Sequence, residues 1–93
     1  MAKFAVTITF QDMAARDAAR PEHRVYLRSL FDEGKLLESG PYVDDTGALL
    51  IYEAESQAEV EAWLADDPYA KAGNVVGERT IKEWNRVFPP SAA

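Results

Sequence analysis

The chain holds one histidine, His23, in the run Arg20-Pro21-Glu22-His23. Imidazole changes charge near neutral pH, so a lone histidine beside a buried carboxylate is the simplest general base a small protein can assemble. The carboxylate accepts from one ring nitrogen, fixes the tautomer and leaves the other nitrogen free to take a proton. Two aspartates are candidates: Asp32, near the end of the same helix, and Asp67, in Asp66-Asp67-Pro68-Tyr69. At ~1.5 Å of rise per residue, Asp32 stands about 13 Å along a straight helix from His23, out of contact. Asp67 is under no such constraint. An aspartate before proline is also what a helix start requires, and one carboxylate can be both cap and partner. The competing reading of His23 is a core-edge residue bonded to backbone or water.

Other chemistries find little support. One histidine and no cysteine exclude the familiar zinc sets. Asp44-Asp45 with Gly47 lacks calcium-loop spacing, and no glycine-rich phosphate cradle or nucleotide fingerprint is present. No metal and no cofactor are therefore expected. Ser39, in Ser39-Gly40-Pro41, is too short a signal for a nucleophile elbow, but its hydroxyl could bond a ligand; otherwise it is an ordinary strand residue. Sixteen acidic against ten basic residues give a net charge of −6, which disfavours nucleic acid and anionic membranes as partners. Arg20, Arg24 and Arg28 share a helix face at four-residue spacing and read as a solvated face paired with acids such as Glu22 and Asp32.

The elements that must position these residues follow from periodicity. Residues 3–10 alternate, with Phe4, Val6, Ile8 and Phe10 on one face, and form a strand. Residues 11–19 are polar and alanine-rich, a linker or irregular lead-in and the most mobile connection expected. Pro21 suits a first helical turn, Leu27, Leu30 and Phe31 with Tyr26 beside them make an inward stripe, and Gly34 stops the helix. His23 lies on that stripe, one turn from the helix start. Residues 35–43 form a second strand whose Pro41 marks an edge or bulge, 44–47 a turn and 48–55 a third strand, apolar on both faces. Ser56 and Glu59 are a capping box for a helix to about Ala65, with Val60, Trp63 and Leu64 inward. Asp67 then caps a short helix or turn reaching Asn74. Residues 78–88 are the last strand, with Trp84 and Phe88 on one face and Ile81 and Val87 on the other, and 89–93 a frayed tail.

Ninety-three residues make a single domain, 1–93. The order β-α-β-β-α-β is the ferredoxin-like α+β pattern, an antiparallel sheet with two helices on one face. At 47% hydrophobic and 11% aromatic, the chain carries more apolar material than one sheet face needs. A homodimer through the open sheet face would use it; a monomer with a twisted, partly exposed sheet competes. The start lacks a secretory pattern and no apolar run approaches the roughly 20 residues that span a bilayer, so a cytoplasmic protein is expected.

Three segments carry a resemblance: Arg20-Pro21-Glu22-His23-Arg24-Val25-Tyr26-Leu27, Gly34-Lys35-Leu36-Leu37-Glu38-Ser39-Gly40-Pro41 and Asp66-Asp67-Pro68-Tyr69. In order and spacing they resemble the YCII-related family, over about residues 3–88. That family is similar in fold to the dimeric α+β barrel proteins, which include muconolactone isomerases, and the resemblance implies a homodimer with a cleft in each subunit. It maps the family's histidine onto His23, its aspartate before proline onto Asp67, its helix-end aspartate onto Asp32 and its serine before Gly-Pro onto Ser39. A related enzyme removes chloride from a chlorinated hydroxyhydroquinone, which implies a His-Asp pair able to abstract a proton. The compact turn Val43-Asp44-Asp45-Thr46-Gly47 replaces a longer loop of many relatives, so the wall facing the substrate differs.

The expectation is a small-molecule lyase or isomerase acting on an oxygenated substrate, aromatic compounds included. His23 is the base, Asp67 orients it, and Ser39, Tyr69 and Asp32 meet the substrate. The alternative is a noncatalytic ligand-binding or accessory homodimer with the same cleft. One topological difficulty stands. If the two βα units run parallel, the helix starts are adjacent and Asp67 falls at the wrong end for His23. The turn after Asp67 must then bring the chain back, or a partner subunit must supply the contact.

Overall fold

Strand β1 (Ala2–Phe10) buries Phe4, Val6 and Ile8 and turns Lys3, Ala5, Thr7 and Thr9 to the other face, as its alternation predicts. The remaining elements are helix α1 (Met13–Asp32), strands β2 (Leu36–Pro41) and β3 (Gly47–Ala54), helix α2 (Gln57–Asp66), a short helix α3 (Pro68–Ala72) and strand β4 (Val76–Trp84). The computed structural model describes residues 1–90; of the tail expected at 89–93, residues 91–93 lie outside them.

The sheet order is β2-β3-β1-β4, with every neighbouring pair antiparallel. This is the ferredoxin-like topology. The register pairs Phe4 with Tyr52, Val6 with Leu50 and Ile8 with Ala48, so these six share the face that the helices cover. Val60 and Leu64 of α2, Leu30 of α1 and Tyr69 of α3 close that core. Gly47 is required where β3 begins: a Cβ there would stand 2.1 Å from the Ile8 carbonyl oxygen.

Among the described residues, no helix covers the opposite face. Lys3, Ala5 and Thr7 of β1 meet Glu53, Ile51 and Leu49 of β3 and Trp84, Lys82 and Thr80 of β4 on it. Leu49 and Trp84 are each 38% exposed, whereas Ile51 is buried among its neighbours at 5%. The Thr7 and Thr80 hydroxyls bond each other across β1 and β4, and Lys3 pairs with Glu53 at 3.2 Å. β2 and β4 are the two open edges of the sheet. The α+β barrel expected from the resemblance is therefore not formed: the four strands do not close, and about eight are needed to enclose a side-chain-filled interior.

Two further expectations are corrected. Residues 13–19 are not a linker but the first turns of α1, which starts well before Pro21. Asp12 is its N-cap and accepts from the Ala15 amide at 3.1 Å, and the alanines that follow are the strongest helix formers. Pro21 lies inside the helix with its ring exposed, at the cost of one intrahelical hydrogen bond. At the other end Gly34, at φ +79°, closes a Schellman motif: Gly34 N donates to Phe31 O and Lys35 N to Leu30 O. The second correction is to the last strand, which ends at Trp84 rather than 88, leaving Val87 and Phe88 exposed beyond it.

Candidate active site

The buried residues of α1 are Arg16, His23 and Leu30, one every seven positions along a single line of the helix. His23 is thus near the middle of α1, ten residues and about 15 Å from its start. That placement removes the topological difficulty. Because α1 begins at Met13, its middle, not its start, reaches the end of α2, through Tyr26 to the Trp63 carbonyl and His23 to Asp67, and α3 packs against it.

Asp67 joins α2 to α3 in an extended conformation, φ −66° and ψ 133°, and caps α3 as the sequence predicts. Its Oδ1 accepts from the Tyr69 amide at 2.9 Å and from His23 Nδ1 at 2.7 Å. His23 and Asp67 are buried, at 8% and 4% exposure. An ionised carboxylate is acceptor only, so Nδ1 carries the proton, and Nε2 is left without a protein partner among the described residues. The imidazole stacks on the Tyr69 ring with centroids 3.6 Å apart and planes 6° from parallel, and Phe10 meets Tyr69 edge-on at 6.0 Å. The ring orientation is fixed by a hydrogen bond at one edge and a stacked face.

His23 and Tyr69 line a cavity of about 170 Å³ whose walls are mostly apolar, from Ile8, Leu27, Pro41, Ala48 and Leu50. A dry cavity of about 150 Å³ accommodates a benzene ring, so this one has room for a single ring with small substituents. A second hollow of about 150 Å³, bounded by Asp67 and Leu64, shares His23, Tyr69, Ile8 and Leu50 with it.

Ser39 lies opposite Leu50 on the helix-covered side of the sheet and lines the first cavity. Tyr69 lines both hollows; burial pushes its hydroxyl pKa up, against the lowering effect of the Arg16, Arg20 and Arg24 charges, so it remains a donor at neutral pH. Asp32 does not belong with them. It is exposed near the end of α1, where its carboxylate bonds Arg28 Nε at 3.2 Å and lines neither hollow. The helix geometry that separates it from His23 overrides the position implied by resemblance.

Sequence reasoning missed the arginines. Arg28 does pair with Asp32 on the solvated face, but Arg20 and the exposed Arg24 border the first cavity as well, together with Arg16. Arg16 is buried, bonds Asp17 and Asp45, and lies 5.0 Å over the Phe10 ring. Its place seven residues before His23 and fourteen before Leu30 was the available signal. Tyr52 was also missed as a polar group: its ring is fully buried, its hydroxyl has no hydrogen-bond partner among the described residues, and burial pushes its pKa up with the Asp67 charge adding to the effect.

A model of the YCII-related domain matches residues 2–85. Protein YciI of Escherichia coli O6:H1 is 39% identical over 83 residues, 78% of this chain and 84% of that one. An uncharacterized protein of Haemophilus influenzae is 34% identical over the same shares of the two chains. The 5-chloro-2-hydroxyhydroquinone dehydrochlorinase of Burkholderia phenoliruptrix AC1100, solved with 2,5-dihydroxybenzoquinone, superposes with a TM-score of 0.77 at 28% identity, over 89% of this chain and 93% of the other.

Proposed function

We propose that this chain, which belongs to the YCII-related domain family, is a small-molecule enzyme that abstracts a proton from carbon in an oxygenated substrate. The buried His23–Asp67 pair, whose imidazole lines a ring-sized cavity, is the observation that carries the reading. Asp67 holds the proton on Nδ1 and stabilises the imidazolium that forms, while Nε2 takes the substrate proton. The C–H electron pair moves into the conjugated oxygen of the substrate. It then either recovers the proton at another carbon, which is isomerisation, or expels an anion from a neighbouring carbon, which is a lyase reaction. Neither route needs an oxidant or reductant. The Ser39 and Tyr69 hydroxyls donate to substrate oxygens. The likeness to an enzyme that removes chloride from a hydroxylated ring supports an oxygenated ring as substrate.

The test is carbon deuteration in heavy water with a panel of hydroxylated and chlorinated hydroquinones, quinones and unsaturated lactones. Wild type exchanges or converts at least one, and His23→Asn is slower by about 10²–10⁴-fold. Saturable binding without exchange would assign the cleft to a noncatalytic ligand-binding module instead.

We also propose that the helix-free sheet face joins two copies. Leu49 and Trp84 are exposed on it around the half-buried Ala5, and exposed apolar surface of this kind is an association site. Sedimentation equilibrium at low micromolar concentration gives a dimer if this holds; the 10.3 kDa monomer alone would end it.

A further inference from the structure

Arg16, Arg20, Arg24 and Arg28 follow one another at four-residue spacing along α1, and their partners separate them into two kinds. Arg16 is bound by Asp17 and Asp45, and Arg28 by Asp32. Arg20 and Arg24 have no ion-pair partner among the described residues, although acids outnumber bases in the chain. Arg24 is exposed and Arg20 half-buried, and both border the cavity that holds His23. No carboxylate among the described residues lines that cavity; Asp67 bounds a second hollow beside it, and Glu22 lies on a separate groove with Pro68 and Lys71. A half-buried guanidinium against apolar walls is costly unless an acceptor reaches it, and its planar fork matches a two-oxygen anion.

We propose that the ligand of this site is a small planar oxyanion, a carboxylate or an ionised enol on a single-ring-sized skeleton, and that Arg20 and Arg24 hold its charge beside His23. The inference rests on the catalytic reading only for the identity of the site, since it concerns recognition rather than turnover. Arg16 builds the wall: its three nitrogens are engaged by Asp17 and Asp45, and its charge is already answered. Arg20 and Arg24 are open on the same wall, four and eight residues further along. The effect of all three charges on the Tyr69 hydroxyl is consistent with positive potential over the cavity.

The test is calorimetric titration of the full chain with two matched pairs: benzoate against benzamide, and 2,5-dihydroxybenzoquinone against its dimethyl ether. The first pair reads a carboxylate, the second an ionised enol. At least one anion should bind at least tenfold more tightly than its neutral partner, and more weakly as salt is added. Arg20→Gln and Arg24→Gln should each weaken that anion roughly tenfold, Arg20→Lys less, and Arg28→Gln not at all. Thermal melts of the same variants exclude misfolding as the cause. Equal affinity for anion and neutral partner, retained affinity in the Arg20→Gln/Arg24→Gln double variant, or no binding of either anion overturns the inference. Arginine-dependent anion binding without turnover of any compound would leave the inference standing and remove the catalytic reading. Turnover of a neutral substrate indifferent to both arginines would do the reverse.

Discussion

His23 Nδ1 and the Tyr69 backbone amide donate to the same oxygen, Asp67 Oδ1, at 2.7 and 2.9 Å. The cap that starts α3 is therefore also the group that orients the imidazole. Tyr69 is held at its amide by Asp67 and at its ring by His23, so the three residues form one rigid unit across two helices. Moving α3 moves the base.

This sharing separates two substitutions at Asp67. Asparagine keeps an oxygen for the Tyr69 amide and for Nδ1 but removes the negative charge that stabilises the imidazolium. Alanine removes the cap as well and leaves a buried ring nitrogen without a partner. Asp67→Ala should lose about 2–4 kcal/mol of stability, the sum of a lost cap and an unsatisfied buried donor, whereas Asp67→Asn loses less than half of that. Urea unfolding measures both. Any proton-exchange activity falls by two or more orders of magnitude in either variant, which dissociates chemistry from stability in the asparagine protein alone.

Inside α1, Pro21 lacks the amide that would bond the Asp17 carbonyl. Its side chain is exposed, so alanine loses little packing. Pro21→Ala should raise stability by about 2 kcal/mol, the helix-interior cost of proline less its restraint on the unfolded chain. A higher melting temperature checks this, and amides from 16 to 20 should already be protected from hydrogen exchange in wild type, as helical amides and not as loop.

Proline also explains what could be read from the sequence and what could not. Ser56 and Glu59 were readable as a cap because both bonds are local, Ser56 Oγ accepting from Glu59 N and Glu59 Oε1 from Glu55 N. Asp67-Pro68 was readable for the same reason. The start of α1 was not, since Pro21 imitates a first turn and the true cap, Asp12, is followed by alanines with no apolar stripe to phase them. The arginine wall was hidden too. Which arginines find a carboxylate depends on where Asp45, twenty-nine residues away in a turn, comes to rest. The resemblance supplied the His23–Asp67 pairing; the α1 length that makes it possible came from the fold.

Gly47 has no room for a side chain. A methyl group there would meet the Ile8 carbonyl at 2.1 Å, and the obstacle is backbone rather than a side chain that can swing away. Gly47→Ala should destabilise by about 1–3 kcal/mol or more through separation of β1 from β3. Ile8 lines both hollows, so the same change should weaken ligand binding. Gly40→Ala is the contrast: nothing lies near its added carbon, and stability should hardly change.

Alkaline pH probes the helix-covered side of the sheet through its tyrosines. Burial, followed by the nearby charges of Asp66, Asp67 and Glu33, pushes the Tyr26 hydroxyl from an ordinary 10.0 up to about 12, and its proton is donated to the Trp63 carbonyl at 2.6 Å. Burial drives Tyr52 further in the same direction. A folded pKa above the unfolded one means that the native state holds a proton the unfolded chain gives up. The resulting stability is complete below about pH 10 and is lost as pH rises through the folded value. Urea midpoints should therefore be flat in this respect up to about pH 9 and then fall steadily toward pH 12. Tyr26→Phe should begin less stable, by about 1 kcal/mol for the lost hydrogen bond, yet decline less steeply over that alkaline range. Parallel slopes for wild type and Tyr26→Phe would show that Tyr26 keeps its ordinary proton affinity, and that its hydroxyl does not tie α1 to α2 as the geometry has it.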